Sequence, residues 1–190
     1  MSDLARLRQI LEASPVGAVL PAIAQLNLPN WWLAGGAVRN TVWRALFGET
    51  CGLIINDFDI AFFELPDDAA PTAGFDPRTQ ELAAKTALAE AFSAYKFDVK
   101  NQASFARWRQ GRQLYHSTED GVANWLHTAT AVGVRVDLQG QWQFFTPYGL
   151  EDLFQGVVRP TPANRDNPDA ERKGNSFLQA CPSLRLAEDF

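Results

Sequence analysis

Residues 31–40 read WWLAGGAVRN, and residues 57–60 read DFDI. An apolar run that stops on two adjacent glycines and resumes with helical spacing describes a buried strand turning directly into a helix. Trp31 to Ala34 supply the strand, and Val38, Val42, Ala45 and Leu46 recur on one side of the helix, which Gly48 ends. From Asp57 to Glu64, Phe58, Ile60 and Phe62 alternate with Asp57, Asp59 and Ala61. The period of two sends two carboxylates out of one strand face and three apolar side chains out of the other. With strands and helices following one another along the chain, the expected fold class is α/β (α+β).

The remaining segments fill in that outline. Asp3 is expected to cap a first amphipathic helix ending near Ser14 and Pro15, and Val16 to Leu26 form a second. PDDAAPTAGFDP reads as a loop by its Pro, Asp and Gly content, and Glu81 to Lys96 as an alanine-rich helix with Leu88, Phe92 and Tyr95 on one face. KFDVKNQ is a further strand, opposing Phe97 and Val99 to Asp98 and Lys100. Ser117 and Asp120 open a helix running to Leu126. TAVGVRVDL and QWQFFT pair as a hairpin about Gln139 and Gly140, and Tyr148 to Gln155 form a short helix. The Pro- and Asn-rich segment after Val158 predicts one domain over residues 1–160 and, over 161–190, an extended C-terminal tail packing on or near it.

A chain of 190 residues that is 46% hydrophobic is long and apolar enough for a buried core. Its net charge of −5 argues against a surface wholly devoted to nucleic acid or membrane. Cys51 and Cys181 stand far apart in sequence without a CxxC pattern, so neither a disulfide framework nor a zinc site is expected. The N-terminal MSDLARLRQILEAS carries charges throughout, unlike a signal peptide, and no apolar run has the length of a membrane span. A cytoplasmic protein with no membrane partner is expected.

Glycines at a strand-to-helix junction let a ligand approach the backbone, and the free N–H groups of the helix start favour an anion such as phosphate. Taken alone, Gly35 and Gly36 read more simply as a tight turn with close helix–strand packing. Asp57 and Asp59 repel each other, a cost that a divalent cation removes; Mg²⁺ takes carboxylate, water and phosphate oxygens. Alone, this pair also suits a solvated edge strand.

Joined in order, apolar strand, Gly-Gly, helix and a strand of alternating Asp resemble the signature of the DNA polymerase beta superfamily of nucleotidyltransferases. GGAVRN, LFG and NDFDI are similar to the head of tRNA CCA-adding enzymes and bacterial poly(A) polymerases. KFDVKNQASFARW, STEDGVANWLHTATAVGVRV and YGLEDLFQGVVRP resemble a stand-alone bacterial nucleotidyltransferase-like family of unknown function, a likeness that extends to about Pro162. The resemblance implies a small mixed β-sheet with helices, an NTP substrate held by Gly35 and Gly36, and Mg²⁺ or Mn²⁺ on Asp57 and Asp59. It also implies a third carboxylate on a neighbouring strand, for the metals or for the acceptor's proton. Asp98 is the choice, and Asp137 in VRVDL the reserve.

Two departures stand out. Twenty residues separate Gly36 from Asp57, which lengthens the intervening loop, and Asn40 stands where the CCA-adding head carries an aspartate. The reaction implied is transfer of a nucleoside monophosphate from an NTP to a hydroxyl of an unknown acceptor: small molecule, protein or RNA. The alternatives are a catalytically inactive nucleotide- or partner-binding module of the same fold, and metal-dependent hydrolysis by the same acids.

Further candidates are balanced against plainer roles. Arg39, one turn into the helix, suits phosphate binding as well as a surface or capping role. Lys100 shares a strand face with Asp98 and is the leading phosphate-binding lysine of a basic, aromatic stretch that also holds Lys96, Phe97, Phe105, Arg107, Trp108, Arg109 and Arg112. His116 and His127 are expected to be structural, and Glu119 and Asp120 to favour a helix dipole. Trp31 and Trp32 flank the glycine turn and suit the wall of a base pocket.

Overall fold

Helix capping separates the first two elements. In the computed structural model, which describes residues 1–65, 77–107 and 115–188 without the side chains of 77 and 105–107, Ser2 rather than Asp3 caps α1 (Asp3–Glu12). Its Oγ accepts the Ala5 N–H at 3.3 Å, leaving Asp3 in the first turn. Ser14 caps α2 (Pro15–Gln25) in the same way, with Pro15 at the first helical position. Leu7, Leu11, Val16, Val19, Leu20 and Ile23 form their shared buried stripe.

β1 (Trp32–Ala34) passes into α3 (Gly36–Phe47) through Gly35, at φ 76°. This helix departs from the one-sided pattern expected of it. Ala45 is exposed, whereas every residue from Ala37 to Trp43 is buried. Such enclosure requires internal partners for polar groups: Thr41 Oγ1 donates to the Ala37 carbonyl at 2.6 Å, and Trp43 Nε1 to the Leu153 carbonyl at 2.9 Å.

β2 (Asp57–Phe62) follows, then α4 (Pro77–Ala91), which begins and ends earlier than the expected Glu81 to Lys96 because Pro77 opens it and Lys96 already belongs to β3 (Lys96–Asn101). α5 (Thr118–Ala123), capped by Ser117 as expected, stops short of Leu126. β4 (Gly133–Val136) and β5 (Trp142–Phe145) form the expected hairpin. The sheet order is β3-β2-β1-β4-β5. β1 runs antiparallel to both neighbours and β2 parallel to β3, so the sheet is mixed.

Phe58, Ile60, Phe62, Phe97 and Val99 turn to the main core, each at most 2% exposed. At roughly 1.5–3 kcal/mol for a fully buried large apolar side chain, this face anchors β2 and β3. The opposite face carries the acids, and it is partly covered. Ala34, Ala61 and Val122 of α5 form a second small core with Trp125 and Phe145 against it. Asp57 is therefore exposed and Asp59 half-buried, while Ala61, next on the same face, is 1% exposed.

α6 (Glu151–Gln155), β6 (Val157–Val158), α7 (Pro168–Ala180) and β7 (Arg185–Leu186) complete the described chain. Residues 161–190 are thus not extended throughout, as composition suggested. Asn167 caps α7 by accepting the Asp169 N–H, Pro168 takes the first position, and Ala170, Gly174 and Phe177 form a buried stripe. β7 pairs in parallel with β6. Phe177, Cys181, Leu184 and Ala187 of this segment are buried. The loop at 66–76 lies outside the described residues.

Candidate functional site

The β1–α3 junction and the first residues of β2 meet in a cleft of about 470 Å³. Gly35, Gly36, Arg39, Asp57 and Asp59 line it together with Asn56 and Gly52 to Ile54 of the long loop, Trp125 after α5, and Lys173, Ser176 and Phe177 of α7. Four expected site residues beyond Arg39 thus share one cavity, and the lengthened loop borders it. Trp125, Lys173 and Phe177 were not among the expected site residues; nothing in a helix of mostly polar residues or in the string ANWLH marks them.

Gly35 has no room for a side chain. A Cβ there would stand 2.8 Å from Asp59 Oδ2 and 2.9 Å from the Trp125 ring. Its N–H donates to the Thr130 carbonyl at 3.2 Å, fixing the turn. At Gly36 the nearest atoms to such a Cβ are Arg39 Nη2 and Asn40 Nδ2, both at 3.9 Å, so the glycine leaves an open cradle at the helix start.

Asp59 carries the concentrated charge. Burial, then Asp98, then Asp57 push its carboxyl up to about 6, against the opposing pull of Arg39 and of the Gly36 N–H. Asp98 is Asp59's direct register partner across β2 and β3. It is held from the strand edge by Lys100 Nζ at 3.5 Å and Lys85 Nζ at 3.9 Å. Lys100 also reaches Glu81 at 3.8 Å, so its charge is directed to these acids and not to the glycine cradle. Asp137 instead accepts the N–H groups of Gln139 and Gln141 in the hairpin turn.

Arg39 is a buried cation, 5% exposed, and burial brings its guanidinium down to about 10, with Asp59 pulling the other way. Nε and Nη2 donate to Asn40 Oδ1 at 3.1 and 2.8 Å, and Nη1 to Thr130 Oγ1 at 2.9 Å. The guanidinium carbon lies 3.8 Å from the Phe177 ring centroid. Asn40 Nδ2 in turn donates to the Ile54 carbonyl at 2.7 Å, tying the long loop to α3.

Several other candidates find structural work. Trp31 and Trp32 are buried outside the cleft, and Trp32 Nε1 donates to Glu119 Oε1 at 2.7 Å. His127, 1% exposed, pairs Nε2 with the Ala170 carbonyl at 3.0 Å, and burial lowers it to about 4. Neutral at physiological pH, it therefore donates through Nε2 and pins α7 to the chain before β4. Cys51 and Cys181, distant in sequence, are buried together, with burial and a hydrogen bond to Cys51 pushing the Cys181 thiol up to about 12. Trp108, Arg109 and Arg112, and the side chains of Phe105 and Arg107, lie outside the described residues.

Among the described residues no group of three or more His, Cys, Asp or Glu side chains is arranged to hold a metal ion unaided. Asp57 and Asp59 fit a cation that takes its other ligands from phosphate and water, and such a cation would offset both the burial and the neighbouring acids that raise the Asp59 carboxyl.

The model of the family described as Nucleotidyltransferase matches residues 21–186. An NMR structure said to reveal a CCA-adding enzyme head domain is 27% identical, with a TM-score of 0.74 over 96% of this chain and 95% of that one. A CCA-adding enzyme in complex with CTP is 15% identical, with a TM-score of 0.60 over 98% of this chain and 42% of that one. The Thermotoga maritima CCA-adding enzyme complexed with tRNA is 14% identical, with a TM-score of 0.59 over 98% and 43%. The chain thus spans under half the length of these two enzymes. No curated protein matches it. Among the described residues no helix is long and apolar enough to cross a membrane. With a family match covering most of its length and a mixed sheet that places paired carboxylates beside a glycine turn, this chain belongs to the nucleotidyltransferase family.

Proposed function

We propose that this protein transfers a nucleoside monophosphate from an NTP to a hydroxyl of an acceptor. One observation carries the reading: Asp57 and Asp59 open into the same cleft as the start of α3, with Asp59 against the Gly36 N–H. The triphosphate lies over the Gly36 cradle, where helix N–H groups and the Arg39 charge favour phosphate. Asp57 and Asp59 hold the divalent cation, with Asp98 as the third acid. Mg²⁺ or Mn²⁺, when bound, supplies positive charge to the α-phosphate and the departing pyrophosphate. The acceptor oxygen bonds to the α-phosphorus, the bond to the β-phosphate bridge breaks, and the hydroxyl proton passes to the Asp98 carboxylate. Relatives solved with CTP and with ATP support an NTP as donor. The net charge of −5 favours a small molecule or protein acceptor over RNA, and two free thiols suit a reducing cytoplasm.

The rival is a nucleotide-binding module without turnover, favoured by the two lysines that already neutralise Asp98. Thermal stability with each of the four NTPs, with and without Mg²⁺ or Mn²⁺, tests the shared part: ligands of the native state raise the melting temperature. A metal-dependent rise that Asp57→Asn abolishes is expected, and no rise with any NTP sinks both readings. Pyrophosphate release on addition of candidate acceptors then separates transfer from binding. Full turnover in Asp98→Asn overturns the third-acid assignment.

A further inference from the structure

The cleft does not end at the acids. A second cavity of about 560 Å³ adjoins it, and Arg39, Trp125, Thr130, Lys173 and Phe177 belong to the walls of both. Asp57 and Asp59 line only the first. The junction therefore holds two cations flanking one aromatic ring: Arg39 at 3.8 Å from the Phe177 centroid and Lys173 Nζ at 5.7 Å.

Neither cation has a carboxylate in contact, and Asp59 acts on Arg39 only at longer range. Among the described residues, no carboxylate lies within 4.0 Å of the Arg39 or Lys173 nitrogens. Asp169, on the wall of the second cavity, pairs with Arg172 at 2.9 Å, and Asp120 accepts the His116 N–H at 2.9 Å. Three of the guanidinium's five N–H groups donate to Asn40 and Thr130. Two remain, and Nη2 borders the open side of Gly36. A buried charge with no counter-ion in contact is costly, and a second positive charge beside it raises the cost. An anion at the junction removes it.

From this we infer an anion subsite formed by Arg39 and Lys173 at the junction of the two cavities, taking the terminal phosphates of the nucleotide. The identity of the anion as a nucleotide's phosphates rests on the reading under Proposed function; the subsite itself rests on the two cations. Asp57 and Asp59 mark the α-phosphate end, and a chain of phosphates crossing the Gly36 cradle runs from them to the cations. α7 thereby contributes a binding residue from the segment whose composition suggested an extended tail.

Lys173 is exposed and bears no ion pair, so Lys173→Gln leaves the fold intact, whereas Arg39 is too deeply built in to remove. The melting temperature is followed in titrations with inorganic tripolyphosphate, then with ATP, ADP and AMP in Mg²⁺. In the wild type, tripolyphosphate binds without metal and affinity falls from ATP to AMP. Lys173→Gln is expected to weaken tripolyphosphate and ATP about tenfold or more and AMP little, with Lys173→Arg restoring both. Equal affinity of wild type and Lys173→Gln for tripolyphosphate and ATP overturns the subsite. Lys173-dependent tripolyphosphate binding without any nucleotide binding keeps the subsite and overturns the nucleotidyl-transfer reading. Binding of neither overturns both.

Discussion

Asp59 on β2 stands directly across the parallel ladder from Asp98 on β3, while its other side faces the Gly36 N–H at the start of α3. One carboxylate thus lies between a like charge and the positive end of a helix. Burial and the two neighbouring aspartates prevail, which is why Asp59 binds its proton up to about pH 6.

That balance sets a pH dependence for the metal-free protein. The folded carboxyl titrates near 6 and the unfolded one near 3.8, so between these values the native state holds the extra proton. Stability is greatest at the acidic end of this window and falls as pH rises through it, by up to roughly 3 kcal/mol for a shift of about two units. In EDTA, Asp59→Asn is expected to melt above the wild type at neutral pH, with the gap closing towards pH about 4. Melting curves across that range check it; a gap that stays constant with pH refutes it.

The two glycines are expected to differ. Gly35→Ala places a methyl against Asp59 and Trp125 at a positive φ, costing roughly 2–4 kcal/mol of stability. Gly36→Ala meets nothing closer than 3.9 Å; it is expected to keep the melting temperature within a few degrees while weakening nucleotide binding by filling the cradle. Denaturation and nucleotide titration of both variants decide the matter.

Asn40→Asp restores the aspartate of the CCA-adding head but not its setting. The Asn40 amide donates to the Ile54 carbonyl, and a carboxylate would face that oxygen with a second one. The loop is expected to detach from α3 at a cost of about 1–3 kcal/mol, with Arg39 gaining a counter-ion. Faster proteolysis within residues 48–56 is the readout, and unchanged cleavage counts against the tether.

The thiols supply a local probe. Buried beside Cys51 and pushed up to about 12, the Cys181 thiol has almost no thiolate at pH about 8. Iodoacetamide is expected to modify it only as the native state opens, at least a hundredfold more slowly than in denaturant. Rapid alkylation of Cys181 in the native protein would place α7 away from the loop at Cys51.

Much of the site was legible locally. The Gly-Gly turn after an apolar strand and the alternation in DFDI are patterns of neighbouring residues, and strand and helix periods translate them directly into a cradle and two carboxylates. Asp98 was legible more weakly, through the same alternation in KFDVKNQ. Lys100 was not: its alternation was read correctly, but Glu81, nineteen residues earlier, shares its charge with Asp98. The burial of Arg39 was hidden too, since it depends on Phe177 and Thr130, which arrive from far along the chain.

By itself, then, the sequence determined the strand–glycine–helix unit and the acidic face, because both follow from backbone geometry within a few residues. Tertiary structure alone decided which cations face the cleft, how far Asp59 is desolvated, and that α7 lines the cleft. Those properties come from burial and from charges meeting across long loops, and no local period records which distant segment will supply the covering surface.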